Sequence, residues 1–199
     1  MTSVRRVAQS NGKYEAILRA AIKVFARSGF FNSKVADVAR EAGVADGTIY
    51  LYFKNKDELL MAAIDSAFHR FIRRAQAALD ELTDPREKLR RMAFLHLEGL
   101  GSNRDLAIVF QTELRHSAKF LAEFSRTQLK EYFNLIREIV LRGQEAGVFR
   151  REVSDKIFAN CFFGALDEMV TSWVLSDHDY PLEGAADAVA DVLISGLRR

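Results

Sequence analysis

Two groups of residues in this sequence have the types and spacing for recognition chemistry. The first is Ser33, Lys34, Thr48, Tyr50, Tyr52, Lys54 and Lys56. Their hydroxyl and ammonium groups suit hydrogen bonds to phosphate oxygens and base edges. The second is Arg104, Arg115, His116 and Lys119, which gather around the apolar stretch from Phe110 to Phe120. Catalytic groupings are missing. There is no nucleophile elbow, phosphate-binding glycine loop or metal-ligand spacing, and His69, His96, His116 and His178 are scattered. Neither an enzyme nor a resident cofactor or metal is expected. The single cysteine, Cys161, sits in an apolar run and reads as buried filler. One cysteine allows no intramolecular disulfide, which suits a reducing compartment.

The elements that must hold these residues are helical. Only Pro85 and Pro181 interrupt 199 residues, and no strand-like alternation occurs. The composition, 49% hydrophobic and 28% charged, places the chain among globular rather than disordered proteins. The longest uncharged stretch, Ile157 to Leu166, is too short to span a bilayer, and no apolar signal region opens the chain. A cytoplasmic, all-α protein with no membrane contact is expected. Residues 1–11 read as a flexible arm. From Lys13 a helix carries Ile17, Ala21, Val24 and Phe25 to Gly29. Ser33 is placed to cap a short helix that carries Val35, Val38 and Ala39 and is stopped by Gly43, and a second short helix follows across Asp46 to Tyr52. Asn55 and Glu58 have capping-box form and open a long helix to about Leu82. Further helices are expected over about 104–114, 118–145 and 154–176, and a last one after Pro181.

Charge divides the chain in two. Up to Lys56 there are ten basic and four acidic residues, a net +6, whereas the remainder carries −4. A basic head on a mildly acidic body suggests a nucleic-acid contact confined to residues 1–56, with 57–199 as a separate unit. The stretch 35–54, VADVAREAGVADGTIYLYFK, has small Ala39 where two helices would cross and Gly43 where they would turn. Val38, Ala42, Val44, Ile49 and Tyr52 are spaced to pack them together. This is the pattern of a helix-turn-helix whose second helix enters the major groove. Thr48 and Tyr50 face outward on that helix, Tyr52 partly inward. Lys54 and Lys56 stand where they can reach phosphates, and Ser33 and Lys34 start the first short helix, where backbone N–H groups favour anions. Each lysine is equally readable as a solvated surface residue.

From Ile17 to about Ala67, through AAIKVFARSGF, GTIYLYF and the following NK, the sequence resembles the TetR family of bacterial transcriptional repressors. The resemblance implies a DNA-binding head, a larger helical domain that binds a small molecule, and dimerisation through the last two helices. It also implies a palindromic DNA operator as partner, with Ala45, Asp46 and Gly47 at the start of the recognition helix among the DNA-facing positions. Ala45 stands where the family often has Ser or Thr, so a capping hydroxyl is lost. Asp46 is open to capping the helix, to accepting from a cytosine amino group, or to repelling phosphate.

The second domain is rich in large apolar side chains, including Phe110, Leu114, Phe133, Phe162, Leu166, Met169 and Trp173. They allow a cavity, although ordinary core packing accounts for any one of them. The strings Gln111 to Ser117, Leu129 to Asn134 and Thr171 to Asp177 resemble the FadR-type branch, repressors of fatty-acid degradation released by long-chain acyl-coenzyme A. The resemblance implies an apolar tunnel for the chain, with Arg104, Arg115, His116 and Lys119 toward the phosphates and Tyr132 at the tunnel mouth. Arg115 reads equally as a partner of Glu113, and Tyr132 as a core tyrosine. A multidrug sensor is the rival within the family, with Glu113, Asp167 or Glu168 meeting a cationic drug. A ligand-independent architectural DNA-binding protein is the rival outside it. The segment 157–175 is apolar nearly all round, so one face is expected on the core and the other on a second subunit.

Overall fold

In the computed structural model, backbone is described from Thr2 and side chains from Gly12, continuing to Leu114. Phe120, Ala122, Phe124, 128–178 and 180–197 are described beyond that. Every regular element among these residues is helical. The N-terminal helix α1, Thr2–Ser28, begins earlier than the expected Lys13. Residues 2–11, read as an arm, are helical backbone, since no proline stands before Lys13 to break the turn.

The short helices α2, Val35–Ala42, and α3, Asp46–Tyr50, pack against α1 and each other through Val38, Ala39 and Ile49. Gly43 joins them at φ 68°, the left-handed region that side chains resist. From there Val44 N–H returns to the Ala39 carbonyl (3.0 Å), closing the end of α2. The long α4, Lys56–Asp80, begins in the head and spans about 37 Å at 1.5 Å per residue. Asn55 Oδ1 caps it by accepting from Glu58 N–H (2.8 Å), while Glu58 accepts from Lys54 N–H (2.8 Å). The reciprocal pair is therefore displaced by one residue from the expected capping box.

The body follows with α5, Pro85–Gly101, capped by Asp84, and α6, Arg104–Ile108. The latter runs straight into a π-helical turn, Val109–Glu113. Then come α7, Gln128–Glu145, α8, Asp155–Leu175, a 3₁₀ turn at Leu182–Ala185, and α9, Ala186–Ser195. The expected start of a helix at 118 lies partly outside the described residues. The core of the body gathers α4, α5, α7 and α8 around Leu89, Met92, Leu97, Tyr132, Ile136 and Phe162. No helix among the described residues is long and apolar enough to cross a membrane.

One face of α8 stays uncovered. Ile157 (65% exposed), Cys161, Gly164, Glu168, Ser172 and Leu175 recur along it. Cys161 is thus exposed on this chain, correcting the buried reading, because its apolar neighbours in sequence point to the opposite side. On α9, Val192 is 75% exposed.

Candidate functional site: a recognition helix and an apolar cavity

The head presents α3 to solvent. Ala45 is the N-terminal flanking residue of α3 and offers no side-chain cap. Asp46 is the first helical residue and its carboxylate makes no hydrogen bond among the described residues, so the capping role weighed for it is not taken up. Gly47 and Tyr50 are exposed and Thr48 half-buried. Tyr52 turns inward, edge-on to Tyr14 at 5.7 Å between ring centres. Leu51 is 82% exposed at the end of α3, an outward apolar residue that the sequence pattern assigned to no role.

Lys54 is exposed and its side chain has no hydrogen-bond partner among the described residues, whereas Lys56 folds back on the head. The Lys56 ammonium donates to the carbonyls of Phe30 (2.5 Å) and Ser33 (2.9 Å) and lies 4.4 Å from the centre of the Phe30 ring. Ser33 is buried, and its hydroxyl donates to the Phe30 carbonyl (2.9 Å). Both residues therefore organise the turn between α1 and α2, and Ser33 does not cap α2 as expected, because Lys34 is the flanking residue and the Ser33 hydroxyl is turned to Phe30. Lys34 is exposed just before α2, and its backbone N–H is taken by Asp37 (3.0 Å).

The body encloses a cavity of about 440 Å³. Phe68 and Phe71 line it from α4, His96 and Leu100 from α5, Phe110, Gln111 and Leu114 from the π-turn and its end, Tyr132 from α7, and Phe163 and Asp167 from α8. Of the expected ligand residues, Phe110, Leu114 and Tyr132 line it. Phe162 and Leu166 are core residues one helical position away, and Phe133 packs edge-on against Phe163 behind the wall. Met169 is half-buried against the core. Arg104 lies 4.8 Å from the Trp173 ring and donates to the carbonyls of Val174 (3.1 Å) and Ser176 (3.2 Å). It closes the end of α8, and Trp173 Nε1–H donates to the Tyr180 carbonyl (3.0 Å). Both are taken up in joining segments of the body. Arg115, His116 and Lys119 lie outside the described residues.

The polar groups of the cavity fall into two sets. Gln111 donates its amide to Asp167 Oδ1 (2.9 Å) and accepts from Thr171 (3.1 Å). His96 Nδ1 lies 3.0 Å from the Tyr132 hydroxyl. Burial pushes the His96 imidazole down to about 4, against a weaker upward pull from Asp167, so it is neutral near pH 7. Burial also raises the Tyr132 phenol. Among the described lining residues there is no lysine or arginine. Of the three acids considered for a cationic drug, Asp167 lines the cavity, while Glu113 and Glu168 do not.

Head and cavity meet at the π-turn. Phe110 and Gln111 face the cavity, while a Cβ built on Gly29 at the end of α1 would lie 3.7 Å from Glu113 Oε1. Phe120 stands edge-on to Phe30 at 5.6 Å. The residues that Lys56 fastens thus also touch the far side of the cavity wall.

Comparison with known proteins agrees with this two-part arrangement. Residues 17–63 match the family described as bacterial regulatory proteins, tetR family, and residues 64–196 match the YsiA-like protein C-terminal region. The chain is 36% identical over 189 residues to the fatty acid metabolism regulator protein of Bacillus subtilis, covering 95% of this chain and 97% of that protein. It superposes with TM-score 0.88 on the transcriptional regulator FadR from Bacillus subtilis in complex with stearoyl-CoA, at 35% identity, covering 93% of this chain and 100% of that one. FadR from Bacillus halodurans gives the same TM-score at 38% identity and the same coverage. The chain belongs to the TetR family of bacterial transcriptional regulators, in the branch of the fatty acid metabolism regulators.

Proposed function

We propose that this regulator binds a palindromic operator as a dimer and is released by a long-chain acyl thioester. Residues 1–56 serve as the DNA-binding unit and 57–199 as the ligand and dimer unit. On the DNA side, Tyr50, Thr48, Lys54 and Lys34 are the contacts, with Leu51 added as an apolar neighbour for thymine methyl groups. Ser33 and Lys56 support the turn behind them. On the other side, the uncovered faces of α8 and α9 pair with those of a second subunit. Small residues such as Gly164 and Ala188 let the helices approach, and Cys161 is covered there. This pairing places two recognition helices in successive major grooves. The setting is the cytoplasm, where DNA and acyl thioesters are both present.

The observation that carries the ligand reading is the cavity. It is walled mainly by aromatic and aliphatic side chains, and it backs onto the turn that holds the head. A relative of matching length and fold holds stearoyl-CoA. An acyl chain suits such walls because burying methylenes stabilises by about 0.8 kcal/mol each. The test is release of fluorescent operator DNA by stearoyl-CoA, stearic acid and a hydrophobic cationic dye in parallel. Release by the thioester alone is expected. Release by the dye alone would favour the multidrug reading through Asp167, and no release by any compound would favour a ligand-independent DNA-binding protein.

A further inference from the structure

Most polar groups facing the cavity are already engaged. Gln111, Thr171 and Asp167 close on one another through the bonds described above. The His96 and Tyr132 pair is different. His96 Nδ1 and the Tyr132 hydroxyl lie 3.0 Å apart, and in one of the two neutral tautomers the hydroxyl donates to Nδ1. Nδ1 is then without a hydrogen, and a neutral imidazole carries its one hydrogen on Nε2. Nε2 has no hydrogen-bond partner among the described residues. It is not sealed in either, because among those residues Asp65 Oδ1 is the fully enclosed polar side-chain atom left without a partner. His96 itself lines the cavity, with Phe163 at 5.8 Å and Phe71 at 6.4 Å between ring centres. In that tautomer the imidazole is an oriented N–H donor on the mainly apolar wall of the cavity.

We propose that His96, oriented by Tyr132, donates this hydrogen bond to the carbonyl oxygen of the bound acyl thioester and so acts as a specificity residue. The inference rests on the reading of the cavity as an acyl thioester site. A carbonyl oxygen is the acceptor that such a ligand carries beside its chain. It is uncharged, which suits a cavity whose described lining holds the carboxylate of Asp167 and no cation. Burial keeps the imidazole neutral, so the donor is an N–H dipole rather than an ion. Tyr132, beside it in the same wall, is a positioning residue, since its hydroxyl donating to Nδ1 would fix the tautomer and ring orientation.

The experiment compares stearoyl-CoA with its S-octadecyl thioether, in which a methylene replaces the carbonyl. Both are titrated into the full-length wild type, His96→Phe, His96→Gln and Tyr132→Phe, with circular dichroism melts to establish that each variant is folded. The wild type is expected to favour the thioester by about tenfold, the worth of one hydrogen bond formed away from water. In His96→Phe the two compounds are expected to bind equally. His96→Gln, which keeps a donor, retains part of the preference, and Tyr132→Phe reduces it. Should His96→Phe fail to fold, the Tyr132→Phe comparison still decides. Equal binding of both compounds by the wild type overturns the proposal and leaves the thioester reading standing. So does a full tenfold preference persisting in both the His96→Phe and Tyr132→Phe proteins that fold. If neither compound binds the wild type, the reading and the proposal fall together.

Discussion

Lys54 and Lys56 are two residues apart and do different work. The Lys54 side chain is exposed and has no partner among the described residues, whereas the Lys56 ammonium sits on two carbonyls and the Phe30 ring. Lys54→Ala is expected to weaken operator binding and to lower the slope of log K against log salt by about one for each lysine that meets phosphate. Lys56→Met is expected to act on folding instead. It leaves the Ser33 carbonyl without its lysine donor, at a cost of about 1–3 kcal/mol, with the salt slope kept. Fluorescence anisotropy across a salt series, paired with urea unfolding, separates the two, and a reduced slope in Lys56→Met would mean that its charge does reach DNA. Sequence spacing could not tell these lysines apart. The carbonyls that hold Lys56 lie 23 and 26 positions earlier, and such a contact has no local signature. His96 illustrates the same limit: it read as one scattered histidine until α7 brought Tyr132 beside it.

At the scale of elements, the helix-turn-helix was legible because each signal in it is local. Gly43 supplies the left-handed turn, Ala39 the close crossing, and Val38 and Ile49 the buried faces, all within a short stretch of chain. The cavity was not legible in this way. Its wall draws on α4 to α8. The π-turn at Val109–Glu113 also escaped, since a widened turn leaves the same apolar spacing as an α-helix over so few residues. A sharper test of element packing is Gly143 in α7. An added Cβ there would stand 2.5 Å from Cε2 of the buried Phe149 ring. Replacing a helical glycine by alanine ordinarily stabilises by about 0.5–1 kcal/mol, but forcing a methyl into a filled core costs about 1–3 kcal/mol. The clash prevails because the ring is fully buried and has little room to move, so Gly143→Ala is expected to lower the urea midpoint. A raised midpoint would show that Phe149 can withdraw.

For the whole molecule, the uneven charge and the shared π-turn belong to one account. In the proposed function a basic head reads DNA and an apolar chamber senses an acyl chain, and the wall between them touches the turn that Lys56 and Ser33 hold together. A ligand in the chamber shifts the population of head arrangements only to the extent that it binds one arrangement better than another. Two-site coupling of this kind is reciprocal. The direct measurement is therefore the affinity of the full-length protein for stearoyl-CoA, by calorimetric titration, with and without saturating operator DNA. The account predicts that operator weakens thioester binding, by about tenfold or more, and by the same factor through which the thioester weakens operator binding. Equal thioester affinity with and without operator would contradict it.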